Sequence, residues 1–226
     1  MSTEQRPPIQ PGEAAPPFIL PAVNREGMVS LDDFRGKSPL FIGLFRGLHC
    51  PFCRRQIVLL GSTQDKLRAM GVETMAVVNT PLERARLYFK YKPARVLLGA
   101  DPDAATHRAF RLSPVAVVAD AATSQWPLRI TMEEVSQVRV NPTGELSGLT
   151  PIFEAMETLN AKDGFEATEV DQQIAAVHGM QGVGHFLIDR EGIVRWTHLE
   201  AGERMADLVT FPRDEQILEA ARAMVG

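Results

Sequence analysis

The chain has 226 residues, 45% of them hydrophobic, with a formal net charge of −4. That is enough apolar side chain to bury a full core without staples, and interspersed charges of both signs leave no basic footprint for nucleic acid. No stretch approaches the ~20 apolar residues of a membrane span, and a proline-rich start without an apolar segment is not a secretory leader, so a cytoplasmic location is expected.

Residues 1–17 read as a flexible arm. An apolar run over 18–23, the turn Asn24-Arg25-Glu26-Gly27 and a second run over 28–31 predict a hairpin. Residues 32–36 make a short connection, about one helical turn. Residues 39–45 (PLFIGLF) are almost continuously apolar, the mark of a strand covered on both faces. After the turn 46–49, Cys50 opens a helix predicted to run to about Met70. Ile57, Leu60, Gln64 and Leu67 line its inner face, with Arg54, Arg55, Asp65 and Lys66 on the wet side and Gly71 closing it.

A strand over 72–78 and a helix over 81–91 follow, with Thr80 as the expected N-cap. A short strand at 96–98 and a helix from Asp101 to about Phe110 come next. Between Ser113 and Met180 the pattern loosens. Strands are expected at 115–119 and 128–140, and helices at 150–162 and within 164–178. A hairpin turning at Arg190-Glu191-Gly192 and an amphipathic helix over 214–225 end the chain. The order predicts an α/β fold: a central mixed sheet flanked by helices, in a single unit over 18–226 with a long insertion at about 113–180.

The chemistry concentrates in HCPFC. Cys50 and Cys53 are the only cysteines. A pair three residues apart closes too small a loop to be mainly a structural staple, and cytoplasmic thiols are kept reduced. A helix start instead favours an anionic sulfur through its unpaired N–H groups and dipole, by roughly 0.3–1 kcal/mol. Pro51 fits the first helical position, and one turn later Cys53 returns its sulfur to that of Cys50. The two therefore read as a dithiol–disulfide redox pair. Arg46, His49 and Arg54 are the neighbours available to tune the sulfur or contact a substrate. Phe52, an apolar residue inside the motif, should leave the site exposed to a protein or an apolar peroxide, or simply pack.

No metal site is expected, because zinc needs four ligands and only His49 lies nearby. His107, His178, His185 and His198 read as surface or core histidines, Trp126 and Trp196 as packing residues. The glycines of 179–184 lack the strand-first order of a dinucleotide loop.

Residues 12–18 (GEAAPPF), 29–37 (VSLDDFRGK), 97–103 (LLGADPD) and 186–192 (FLIDREG) resemble the peroxiredoxin-like, AhpC/TSA branch of the thioredoxin superfamily. Residues 45–53 (FRGLHCPFC) are similar to the thioredoxin strand-turn-CxxC, with His49 where Trp is usual. The resemblance implies a thioredoxin-like fold, no cofactor, a thioredoxin- or glutathione-type reductant and a disulfide or hydroperoxide substrate; a homodimer is compatible with it.

The sequence departs from the peroxiredoxin pattern, which carries Pro-xxx-Thr-xx-Cys and a later Arg. Arg46 stands at the Pro position, Cys50 at the Thr, Cys53 at the peroxidatic Cys and Val183 at the later Arg. Val183 also replaces the cis-proline of thioredoxins; flanking Gly182 and Gly184 would let the backbone there approach the sulfurs. Three readings stay open: a thiol–disulfide oxidoreductase with Cys50 attacking and Cys53 resolving, a thiol peroxidase with Cys53 or Cys50 peroxidatic, and a non-catalytic redox-sensing or interaction protein whose insertion is the working part.

Overall fold

The computed structural model describes residues 7–202 and 204–225. β1 (Ile19–Pro21) and β2 (Met28–Ser30) form the expected N-terminal hairpin. One 3₁₀ turn at Leu31–Asp33 leads into β3 (Leu40–Phe45). α1 (Pro51–Arg68), β4 (Glu73–Val78), α2 (Leu82–Tyr91), β5 (Leu97–Ala100) and α3 (Ala105–Ala109) follow.

The central sheet has the order β11-β10-β3-β4-β5, where β10 is Gly184–Ile188 and β11 is Val194–Leu199. β3, β4 and β5 run parallel, and β10 and β11 pair antiparallel, so the sheet is mixed. β3 is apolar throughout because both its faces are covered. Leu40, Ile42 and Leu44 point into a cluster with Val29, Met75, Phe110 and Phe186, whereas Phe41 and Phe45 point to the opposite face with Ile57, Leu60 and Ile217. α7 (Asp214–Val225) closes that second face.

Between α3 and β10 lie six short elements, one of them a 3₁₀ turn at Ala121–Thr123, and two longer helices. β6 (Ala116–Val117) pairs with β7 (Arg129–Ile130); α4 (Met132–Gln137) precedes β8 (Arg139–Val140), which pairs with β9 (Thr150–Pro151). α5 (Ile152–Asp163) and α6 (Glu169–His178) complete the segment. Its buried side chains, among them Ile130, Val135, Ile152 and Leu159, join the cluster around α1 instead of making a core of their own. No described helix is long and apolar enough to cross a membrane.

Four expectations are corrected. Residues 1–6 of the predicted arm lie outside the described residues, but 7–17 are held in place. Ile9 and Ala15 are buried, and the Gly12 and Ala15 N–H groups donate to the Val194 and Gly192 carbonyls at 2.8 Å. The strand expected over 128–140 is strand, helix and strand. Thr131 and Glu134 form a capping box that starts α4 and breaks the extended run. Thr80 does not cap α2: its Oγ1 accepts from Leu48 N at 3.1 Å, and Pro81 takes the cap position. Arg54, placed on the wet face of α1, is 2% exposed, for a reason that belongs to the site.

Candidate active site

β3 ends at Phe45 and the chain turns through Arg46, Gly47, Leu48 and His49 before entering α1. The turn needs glycine at 47, where a Cβ would collide with the Asn79 carbonyl. The Cys50 N–H donates to Gly47 O at 3.0 Å, and Thr80 fixes Leu48 from the side.

Cys50 is the N-cap of α1, with extended backbone, and Pro51 occupies the first turn, where its missing N–H leaves nothing unpaired. Cys53 N donates to Cys50 Sγ at 3.2 Å. The two cysteines are joined as a disulfide with Cα atoms 5.3 Å apart. Cys50 is 4% exposed and Cys53 fully buried.

Phe52 is buried too, so it packs and does not hold the site open; the motif is recessed, against the expectation of an exposed one. What recesses it is the segment after α3. A pocket of about 500 Å³ lies over Cys50. Arg46, His49 and Phe52 line its floor, and Met132, Ile152, Phe153, Met156, Val177 and Met180 its walls. A second pocket of about 220 Å³ adjoins it and shares Arg46, Val115, Met180 and Leu208; Val183 and Trp126 line this one.

Of the three candidates for a positive charge near the sulfur, the two arginines are each engaged elsewhere. Arg46 makes a bidentate pair with Glu200, Nη1 to Oε1 at 3.1 Å and Nη2 to Oε2 at 2.5 Å, with both side chains buried. Glu200 Oε1 also accepts from Val209 N at 2.6 Å, which ties the loop after β11 to the site. The Arg54 guanidinium turns inward to donate to Leu48 O and, at 2.8 Å each, to Asn160 Oδ1 and Asp163 Oδ2. It lies 3.9 Å over the Phe165 ring. It therefore clamps the active-site turn to the end of α5, which is why it left the wet face.

His49 is held neutral. Burial, reinforced by the positive charge of Arg46 and then of Arg54, pushes its pKa down to about 4 against the opposing charge of Asp171. Neither of its ring nitrogens has a protein partner.

Val183 is buried just before β10; its carbonyl accepts from Glu200 N at 3.0 Å. The glycines beside it serve other neighbours than the sulfurs. A Cβ on Gly182 would press on Ser113 O at 3.2 Å, and one on Gly184 would meet Leu112 and the Phe186 ring at 2.9 Å. Of the residues singled out in the sequence, Arg46, His49, Cys50 and Phe52 line one pocket, with Cys53 buried and bonded to Cys50. Sequence reasoning missed Glu200, Asp163 and the methionines of the wall, which reach the site only through contacts over a hundred residues long or through a segment without readable periodicity. Among the described residues no group of His, Cys, Asp or Glu is arranged to hold a metal ion.

Comparison with known proteins agrees with this architecture. The AhpC/TSA family model matches residues 11–131. A comparison with curated proteins returned no match. Among solved structures, the chain is similar to a 2-Cys peroxiredoxin from Plasmodium vivax, with 15% identity, 94% of each chain covered and a TM-score of 0.55. Peroxidoxin BcpB from Mycobacterium tuberculosis shares 11% identity over 96% of this chain and 98% of its own, with a TM-score of 0.55. A Chlorobium tepidum protein provisionally assigned as a thiol:disulfide interchange protein DsbE shares 20% identity over 96% and 99%, with a TM-score of 0.51. At these identities the likeness establishes a thioredoxin-like fold.

Proposed function

The chain belongs to the AhpC/TSA family, and we propose that within it the protein works as a thiol–disulfide oxidoreductase, with Cys50 as the attacking thiolate and Cys53 as the resolving thiol. The observation that carries this reading is the unequal access of the two sulfurs. Cys50 lines the 500 Å³ pocket, whereas Cys53 is wholly enclosed beneath it. A peroxidase with Cys53 peroxidatic would need peroxide to reach the enclosed sulfur, so the geometry favours Cys50 as the point of entry.

The cycle balances without a cofactor. In the reduced protein the Cys50 thiolate attacks one sulfur of a substrate disulfide; an S–S bond forms to Cys50, and the other substrate sulfur leaves as a thiolate that takes a proton from solvent. The Cys53 thiol then loses its proton and attacks Cys50 Sγ, releasing the second substrate thiol and leaving the Cys50–Cys53 disulfide. Two electrons have moved to the substrate, and a thioredoxin- or glutathione-type thiol reductant restores the pair. Cys53 N, already 3.2 Å from Cys50 Sγ, stabilises the negative sulfur. Neutral His49 lines the pocket without bringing a charge to it. In this reading residues 113–180 are an insertion in a single thioredoxin-like unit that walls the substrate pocket, and a cytoplasmic setting supplies the reductant.

The test uses two variants. Cys53→Ser should trap a mixed disulfide with substrate, seen as a mass increase on Cys50, and should react with hydrogen peroxide no faster than a free thiol. Rapid peroxide consumption by Cys50→Ser would instead make Cys53 peroxidatic and overturn the assignment. A coupled assay, following NADPH through thioredoxin reductase and thioredoxin, separates the classes by which acceptor supports turnover. The absence of turnover with any acceptor would leave the protein a redox sensor.

A further inference from the structure

The pocket over Cys50 has a chemical character that narrows the substrate. It has the size of a small-molecule site, since about 500 Å³ lies within the range of roughly 300–1,000 Å³ typical of such pockets. Its walls are aliphatic, aromatic and thioether groups, and Met132, Met156 and Met180 can shift to fit an irregular apolar body. Its charged lining residue, Arg46, is already neutralised by Glu200 at 2.5 Å, so the site offers no free cation to a ligand carrying carboxylates.

The mouth continues the same chemistry. Val117, Met132, Phe153 and Val177 line the pocket, yet they are 50%, 45%, 40% and 70% exposed. Large apolar side chains held in water at the entrance of an apolar pocket mark a binding site more than a surface accident. At the floor Cys50 is only 4% exposed. The three sulfurs of a disulfide exchange must approach in line, and a small disulfide reaches so recessed a sulfur more readily than one embedded in a folded protein surface.

We infer that the substrate exchanged at Cys50 is a small apolar disulfide, accepted whole into the pocket that residues 113–180 wall, in preference to a protein disulfide or a charged thiol peptide. The inference rests on the thiol–disulfide reading above. Cys50 attacks the small disulfide R–S–S–R, one RS⁻ leaves and is protonated, and Cys53 displaces the second, as in the general cycle. His49 lines the same pocket, and both its ring nitrogens are buried without protein partners.

The experiment mixes the pre-reduced full chain with dipropyl disulfide or with bis(2-hydroxyethyl) disulfide. These are the same length but differ by a methyl for a hydroxyl at each end. Each rate is divided by the rate of the same compound with a free dithiol, which removes intrinsic reactivity. The normalised preference for dipropyl disulfide should be about tenfold, the factor that burying two further apolar carbons predicts. Val177→Glu and Phe153→Glu, both on the pocket wall, should each cut the dipropyl rate at least fivefold and bring the normalised preference for dipropyl over the hydroxyethyl compound down towards one. Equal normalised rates, variants that slow both compounds alike, or reduction of insulin disulfides as fast as dipropyl disulfide would overturn the inference while leaving a thiol–disulfide oxidoreductase intact. Attack on none of these disulfides would overturn the oxidoreductase reading itself.

Discussion

Breaking the Arg46–Glu200 pair should be the most damaging single polar change near the site. The side chains are 7% and 1% exposed and meet in two hydrogen bonds of 3.1 and 2.5 Å. Arg46→Met leaves the Glu200 carboxylate buried with Val209 N, 2.6 Å away, as its remaining donor. Removing one partner of a buried pair costs about 3–5 kcal/mol, most of it the penalty for the stranded charge. Against a total stability of about 5–15 kcal/mol, that is a large fraction. Adding Glu200→Gln removes the stranded charge while Gln still accepts from Val209 N. The double variant should therefore recover about 2 kcal/mol or more over Arg46→Met alone. Equilibrium guanidinium unfolding of all four proteins, with unchanged m-values, gives the coupling energy. A loss under about 1 kcal/mol for Arg46→Met, or simple additivity, would refute the view that this pair locks the loop after β11 to the active-site turn.

Stability should fall as pH drops from about 6.5 towards 4. His49 and His107 have folded pKa values lowered to about 4, chiefly by burial, and burial pushes His185 well below the usual histidine range too. The unfolded chain then takes protons that the folded one refuses. Each of the first two costs about 3 kcal/mol by pH 4. Urea midpoints at pH 7 and pH 5 measure this; His185→Leu should flatten the slope, and an unchanged slope would count against it. Arg54→Lys should cost about 2–3 kcal/mol by thermal or chemical unfolding, because an ammonium cannot span Leu48, Asn160 and Asp163 while stacking on Phe165. A neutral Arg54→Lys would mean the clamp is idle. Thr168→Ala removes the capping box of α6 and should cost about 1 kcal/mol, with faster amide exchange over 169–178 than elsewhere; uniform exchange would refute a local role.

The legible parts of the fold were those whose signal is local. β3 announced its two covered faces by lacking polar residues, and HCPFC carried its own helix start in Pro51. Other local signals were present but lay inside misleading patterns. Thr131 and Glu134 are a capping box within a run that otherwise alternates like a strand, and the helix they start is only six residues long. The remaining features were not local at all. Arg54 looks like a solvated helix residue until Asp163, 109 positions on, meets it, and Arg46 finds Glu200 154 positions away. Residues 7–17 have the composition of a loose tail, yet their backbone pairs with the loop and strand around 192–194. Such contacts depend on the finished topology, so no window along the chain contains them.

That distinction bears on what the disulfide can do. Arg46, His49 and Arg54 were the residues from which thiolate stabilisation was sought. In the folded protein Arg46 answers Glu200, Arg54 answers Asp163 and a carbonyl, and His49 is uncharged at neutral pH. What remains for a Cys50 thiolate is the start of α1, above all Cys53 N, an effect on the order of 0.3–1 kcal/mol. Couples become strong oxidants when their reduced thiolate is heavily stabilised. A site that withholds free cations from its sulfur favours the disulfide product and pushes electrons outward. Equilibration with glutathione buffers should therefore find the pair oxidised at ratios where a strong oxidant would be reduced; the reverse would show a stabilising charge reaching Cys50. On the oxidoreductase reading proposed above, reactivity is then governed by what can enter the pocket, and selectivity passes from the CxxC motif to the apolar walls that residues 113–180 place above it.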